Sequence, residues 1–113
     1  LRFREAVLKQ LVDRFQRKLS YTSQGRAGLV HYHEGELYLS FDYEMSGGDE
    51  ELLAISVPGA EQWERATGVP LERRREILDF VAETARRDQC PSWQAEIRAK
   101  EIAFVRYAPR KRR

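Results

Sequence analysis

The stretch that decides the fold of this chain is residues 28–57, GLVHYHEGELYLSFDYEMSGGDEELLAISV. Apolar and polar residues alternate in three segments of it, at 29–33, 36–44 and 51–57. A period of two is typical of strands that bury one face and expose the other. The stretch therefore predicts three consecutive antiparallel strands.

The first two of these strands are expected to form a hairpin. A two-residue loop at Glu34-Gly35 pairs His33 with Glu36. This register places one set of apolar side chains on a single face of the sheet: Val30, Tyr32, Leu37, Leu39, Phe41 and Tyr43. We predict that this face lines the core and that the opposite face is polar.

The segment before the strands predicts a helix. Residues 3–19 carry apolar groups at intervals of three and four, with Lys, Arg and Gln between them. This spacing is typical of an amphipathic helix with a basic outer side. Residues 20–25, SYTSQG, collect turn-forming residues, so we predict that they form the loop into the sheet.

Two more helices and a hairpin are expected after the strands. Residues 60–67 predict a short helix that stops at Gly68, and a longer helix is expected from Pro70 to about Asp88. Residues 93–98 and 102–107 alternate again and predict a closing hairpin.

The predicted order of elements is α-β-β-β-α-α-β-β. Helices segregated from runs of antiparallel strands indicate an α+β fold, a mainly antiparallel sheet with helices packed on one face. The 113 residues are the size of one domain, which we assign to 1–108, and the basic residues 109–113 predict a flexible tail.

Composition limits where the protein works. The single cysteine cannot form an internal disulfide, which favours a reducing compartment. No apolar run is long enough to cross a membrane, and no secretion signal is recognisable. We therefore expect a soluble, cytoplasmic protein with no membrane partner.

Charge is distributed unevenly along the chain, although the net charge is only +2. Basic residues are in excess in 1–19 and again in 98–113. Residues 31–51 hold seven acidic residues and no Lys or Arg. The predicted strands therefore carry most of the unbalanced negative charge, which is the main functional clue of the sequence.

The sequence gives little support for a catalytic site. His31 and His33 share the polar face, and with Glu36 they are weak candidates for metal ligands, but no fourth ligand is evident. Cys90 has no motif around it, and no serine or glycine stretch has a catalytic or phosphate-binding context. We predict a protein that is not an enzyme and needs no metal or cofactor.

Two kinds of binding remain open. The first is docking of a basic protein on the acidic, tyrosine-bearing sheet face, for which the predicted residues are Glu36, Tyr38, Asp42, Glu44, Asp49 and Glu50. The alternative is a small regulatory nucleic-acid-binding protein that uses the basic residues Arg14, Arg17, Lys18, Arg110, Lys111, Arg112 and Arg113. A homodimer formed through an exposed sheet edge is a further option.

The layout of 36–107 resembles small bacterial immunity proteins of polymorphic-toxin systems. The resembling pieces are the Tyr43-Glu44 strand end, the apolar third strand that leads to Trp63, and Pro70 before a charged helix start with Ile77-Leu78. The resemblance implies a short, cytoplasmic, non-enzymatic protein that occupies the active site of a toxin. Inhibitors of nucleases in this group are often strongly acidic, and here only the sheet face could take that role.

Overall fold

A computed structural model of the protein describes residues 8, 12 and 16–106. They form one six-stranded antiparallel sheet, in the spatial order β1-β2-β3-β4-β6-β5. Its strands are β1 (Lys18–Gln24), β2 (Ala27–Glu34), β3 (Leu37–Met45), β4 (Glu51–Ser56), β5 (Gln94–Ile97) and β6 (Glu101–Val105). Between β4 and β5 lie α1 (Trp63–Thr67), a 3₁₀ turn (Leu71–Arg73) and α2 (Arg74–Gln89). The prediction of an α+β fold with an antiparallel sheet is confirmed.

The core lies between one face of the sheet, called the inner face, and the helices. β2, β3, β4 and β6 each turn alternate side chains inward, among them Tyr32, Phe41 and Phe104. α2 contributes a stripe at helical spacing, made of Ile77, Leu78, Val81, Ala82 and Ala85. Four of the six apolar residues predicted for the inner face are buried, and Leu37 and Tyr43 pack against them half-buried.

The predicted pairing of β2 with β3 is wrong, because each residue of β2 pairs with the residue two positions further along β3. β2 and β3 pair Glu34 with Leu37 and His33 with Tyr38, so the loop is Gly35-Glu36. Gly35 has a φ of 60°, the left-handed conformation that tight hairpin turns need and that glycine adopts without strain. The faces are unaffected, because the shift moves each partner by two residues. Its consequence is that Glu36 lies in the turn and not opposite His33.

Residues 20–25 were predicted to be a loop and 17–19 the end of a helix, and both predictions are wrong. Lys18–Gln24 is β1, paired along its whole length with β2. Leu19 and Tyr21 pack against the core while Ser20 and Thr22 point outward, so a two-residue period was present in the sequence. The predicted order of elements therefore lacks one strand.

The elements predicted after the third strand, two helices and a closing hairpin, are confirmed in their order. The short helix stops at Gly68, which has a φ of 74°, and the closing hairpin pairs Ile97 with Ile102. Most of the predicted helix over 3–19 and the tail 109–113 lie outside the described residues. Leu8 and Val12 are helical, but 55% and 49% of their surface is exposed, so these two residues do not pack in the core. The core is completed by α1 and α2. In the part of the chain that is described, no helix is both long and apolar enough to span a membrane.

Candidate functional site on the outer sheet face

The outer face of the sheet, opposite the helices, carries polar side chains in rows that cross β1, β2 and β3. One row is Lys18, His33 and Tyr38, and the next is Ser20, His31 and Ser40. The following rows end at Asp42 and Glu44 on β3. The antiparallel pairing therefore produces two zones on this face, an aromatic zone near the start of β3 and an acidic zone at its end.

The aromatic zone is a hydrogen-bonded cluster around Tyr38. The Tyr38 hydroxyl shares a hydrogen bond of 2.6 Å with Nδ1 of His31, and Nε2 of His31 shares one of 2.7 Å with Thr22 Oγ1. The ring of Tyr38 stacks on His31 and also contacts His33, at centroid distances of 5.7 and 5.4 Å. Tyr38 is nevertheless 53% exposed. The cluster thus holds a large aromatic side chain in a fixed orientation at the surface.

The weak metal candidates are not brought together. His31 and His33 both contact Tyr38, but Glu36 lies in the hairpin turn and a tyrosine occupies its predicted position. Within residues 16–106 and at positions 8 and 12, no group of three or more His, Cys, Asp or Glu side chains has the arrangement of a metal site. His31 positions Tyr38 through a hydrogen bond and ring stacking, and His33 does so through a ring contact.

The acidic zone is formed by Asp42 and Glu44 on β3 and by Asp49 and Glu50 in the loop that follows. All four are exposed, as is Glu36 in the turn. Among the described residues, none forms an ion pair or a side-chain hydrogen bond with these five carboxylates, whereas most of the other acidic side chains have such a partner. The unpaired negative charge is thus concentrated on the predicted binding face.

The loop of the acidic zone is anchored through its backbone. Arg106 donates from Nε to the carbonyl oxygen of Asp49 and from its backbone N–H to that of Glu50, both at 2.9 Å. The guanidinium of Arg106 also stacks over Trp93. Because the arginine uses the carbonyl oxygens, the loop is held in place while its carboxylates still face solvent.

Sequence reasoning missed Glu34, which belongs to the inner face and is only 7% exposed. Both of its carboxylate oxygens accept hydrogen bonds from Arg73, at 2.9 and 3.0 Å, and Oε1 also accepts one from the Tyr32 hydroxyl. Arg73 also binds Glu76, which accepts a further hydrogen bond from Arg17. This chain of contacts, here called the inner network, joins the end of β2 to the start of α2.

The inner network shifts the pKa values of its members. Burial alone raises the pKa of the Glu34 carboxyl, but the hydrogen bonds from Arg73 and Tyr32 outweigh burial and hold the pKa below its ordinary value. Burial, together with the bond to Glu34, raises the pKa of Tyr32 to about 12. Glu34 is therefore a structural carboxylate, charged at neutral pH and unavailable to a partner protein.

The residues predicted for nucleic-acid binding are only partly described. Arg17 is engaged with Glu76 at 3.0 Å and stacks over Phe80 at 4.7 Å, whereas Lys18 is exposed at the end of the aromatic zone. Arg14 and the four residues 110–113 lie outside the described residues. The described part of the chain thus contributes one exposed cation from this set.

Cys90 and the two histidines are not brought together, as a thiol nucleophile and its general base would need to be. Cys90 is buried in the core beside the end of α2, whereas His31 and His33 are on the outer face of the sheet. Burial also raises the pKa of the Cys90 thiol, which keeps it in its less nucleophilic protonated form.

Neither a family model nor a curated protein nor a solved structure matches this chain. The functional argument therefore depends on the geometry and charge of the outer sheet face.

Proposed function

We propose that this protein is a non-catalytic binding protein that docks a basic partner protein on the outer face of its sheet. The observation that carries the proposal is the group of five exposed carboxylates without ion-pair partners among the described residues, next to the exposed ring of Tyr38. Unpaired charges on a rigid surface steer a partner of opposite charge and reject partners of like charge.

The two zones have different roles in this proposal. Tyrosine is enriched at the energetic centres of protein interfaces, because a rigid ring buries a large area at a small entropic cost. Tyr38 is already oriented by His31 and His33, so little further ordering is needed when a partner covers it. The acidic zone then provides attraction and register for Lys and Arg side chains of the partner.

A pull-down with matched charge reversals tests the proposal. The double variant Asp42→Lys, Glu44→Lys changes the outer face, and Glu61→Lys, Glu72→Lys applies the same charge change to two exposed acidic residues near α1 and α2. We expect wild type and the second variant to recover the same partner, and the first variant to lose it. Equal recovery by all three proteins would show that the acidic zone is not the interface.

The narrower proposal is that the partner is a toxin and that this chain is an immunity or anti-effector factor. It is supported by the resemblance in layout and by the acidic face, which could occupy a basic active site. A toxin gene beside the gene for this protein, and protection of cells when both are expressed, are the expected results. Killing that is unaffected by co-expression of this protein would remove the narrower proposal and leave the general one.

Among the residues predicted for the alternative, nucleic-acid binding, Lys18 is the one that is both described and exposed, and the adjacent acidic zone would repel phosphates. A titration against duplex DNA and RNA at low salt separates the two functions. Under the main proposal no binding is expected. Tight, salt-sensitive binding that survives the Asp42→Lys, Glu44→Lys change would favour the alternative.

A further inference from the structure

A pocket of about 190 Å³ lies between the inner face of the sheet and the C-terminal end of α2. Its floor is made of buried side chains, including Val30, Ala85 and Phe104, whereas Tyr21, Met45 and Leu53 at its rim are only half-buried. The pocket is therefore a cleft that reaches the surface at one side of the core.

Two features of the sheet and one small side chain of α2 leave this space open. The pairing of β4 with β6 is irregular between Glu51 and Leu53, and both Leu52 and Leu53 line the pocket. Across the sheet, Tyr43 lies over Gly28, where a Cβ atom would come within 2.7 Å of the tyrosine ring. Glycine thus lets the Tyr43 ring lie flat along β2, and the small side chain of Ala85 leaves the opposite wall open.

The lining indicates which ligands suit the pocket. None of the described residues that line it is charged, so a charged molecule would lose its hydration without gaining an opposite charge from them. The polar groups at the end near α2 are the amide of Gln89, the thiol of Cys90 and the hydroxyl of Tyr21, which donates to Asp88 at 2.8 Å. Burial raises the pKa of both Tyr21 and Cys90, so both remain neutral.

The volume sets the size of the ligand. An apolar cavity of about 150 Å³ takes up benzene and stays free of water. A cleft of about 190 Å³ with similar walls has room for a slightly larger ring system, such as two fused rings.

We propose that this pocket binds a small neutral aromatic molecule with one hydrogen-bonding group, its rings between Val30, Ala85 and Phe104 and its polar group near Gln89. The site is on the inner side of the sheet and is separate from the acidic zone. It therefore does not depend on the proposed docking function, and the Asp42→Lys, Glu44→Lys protein should bind the same ligand as the wild type does.

A titration with indole, followed by amide NMR shifts, tests the pocket. Indole is neutral, has two fused rings and carries one N–H donor. We expect saturable shifts at residues of the lining, with no comparable shifts on the outer face. Benzoate, an aromatic molecule of similar overall size that carries a negative charge, should cause none. Absence of saturable shifts with indole would overturn the proposal, and equal shifts with benzoate would overturn the claim that the ligand is neutral.

A filled-pocket variant shows whether the shifts come from this site. Ala85→Leu places a larger side chain in the pocket and should abolish the response to indole, whereas Ala66→Leu makes the same change at an exposed position of α1 and should preserve it. If Ala85→Leu does not fold, Leu53→Trp at the half-buried rim replaces it. An unchanged response in a folded filled-pocket variant would contradict the proposed site.

Discussion

Glu34 and Asp42 lie on adjacent strands, β2 and β3, and face opposite sides of the same sheet. Glu34 is buried, binds Arg73 through both oxygens and accepts a hydrogen bond from Tyr32. Asp42 is exposed and has no hydrogen-bond or ion-pair partner among the described residues. Both belong to the run of seven acidic residues at 31–51.

The different environments of Glu34 and Asp42 show that acidic residues close together in the sequence can have different roles. The pleat alternates side chains between the two faces, so neighbouring carboxylates enter different environments. Glu34 holds the sheet to α2, Glu51 pairs with Arg98, and the other five leave unpaired negative charge at the surface. Counting charges along the chain cannot separate these roles, whereas measurements of stability and binding can.

The largest expected effect is the loss of stability on removal of Glu34. Glu34→Ala leaves the guanidinium of Arg73 in a mostly buried position without one of its two carboxylates, and we expect a loss of about 3 kcal/mol in the free energy of unfolding. Asp42→Ala, the control on the outer face, should change it by less than about 0.5 kcal/mol. Urea denaturation measures both. Similar losses in the two variants would contradict the division of roles.

The pH dependence of the free energy of unfolding is a second way to distinguish buried Glu34 from exposed Asp42. The pKa of Glu34 is lower in the folded protein than in the unfolded chain, so the unfolded chain takes up the proton first as the pH falls. Its stabilising effect is therefore complete above about pH 4.3, the ordinary glutamate pKa, and decreases as the pH falls through the lower folded-state value.

The stability gap between wild type and Glu34→Gln should accordingly stay constant from neutral pH to about pH 5 and narrow below about pH 4.3. Acid and urea titrations of both proteins measure this gap. A gap that widens in acid would mean that folding raises the pKa of Glu34 instead of lowering it.

The smallest expected effect is a gain in stability on the outer face. Asp42 and Glu44 are two residues apart on one strand face, about 7 Å from each other, and repel. Asp42→Asn with Glu44→Gln should therefore raise the free energy of unfolding by roughly 0.3 kcal/mol at low salt. The gain should disappear in about 1 M salt, where charges are screened within about 3 Å. A loss of stability at low salt would reveal a favourable contact of these carboxylates.

Much of the sheet could be predicted because alternation is recorded locally in the sequence. The inner residues of β2 and β3, the stop at Gly68 and the closing hairpin all follow from spacing and from glycine or proline positions. β1 was missed because Leu19 also fits the helical spacing of the residues before it, and SYTSQG is rich in turn formers. Local composition favoured a loop, and only pairing with β2 makes this segment a strand.

The candidate site was predicted in part. The outward position of Tyr38, Asp42 and Glu44 follows from alternation alone. The inner network could not be predicted, because Arg73 is distant from Glu34 in the sequence and the two meet only when α2 packs on the sheet. The pocket depends on the irregular pairing at Leu52 and on the Tyr43 ring over Gly28, which are likewise properties of the assembled sheet.

The strand order has a consequence for synthesis of the protein. β1 to β4 form successive hairpins, whereas β4 must wait for β6, which is made only after α1, α2 and β5. While the ribosome is still adding those segments, β4 is an open edge with unpaired backbone groups and the side chains of Leu53 and Ile55 uncovered. Because open apolar edges promote aggregation, we expect the nascent chain to be most vulnerable just before Glu101–Val105 becomes available.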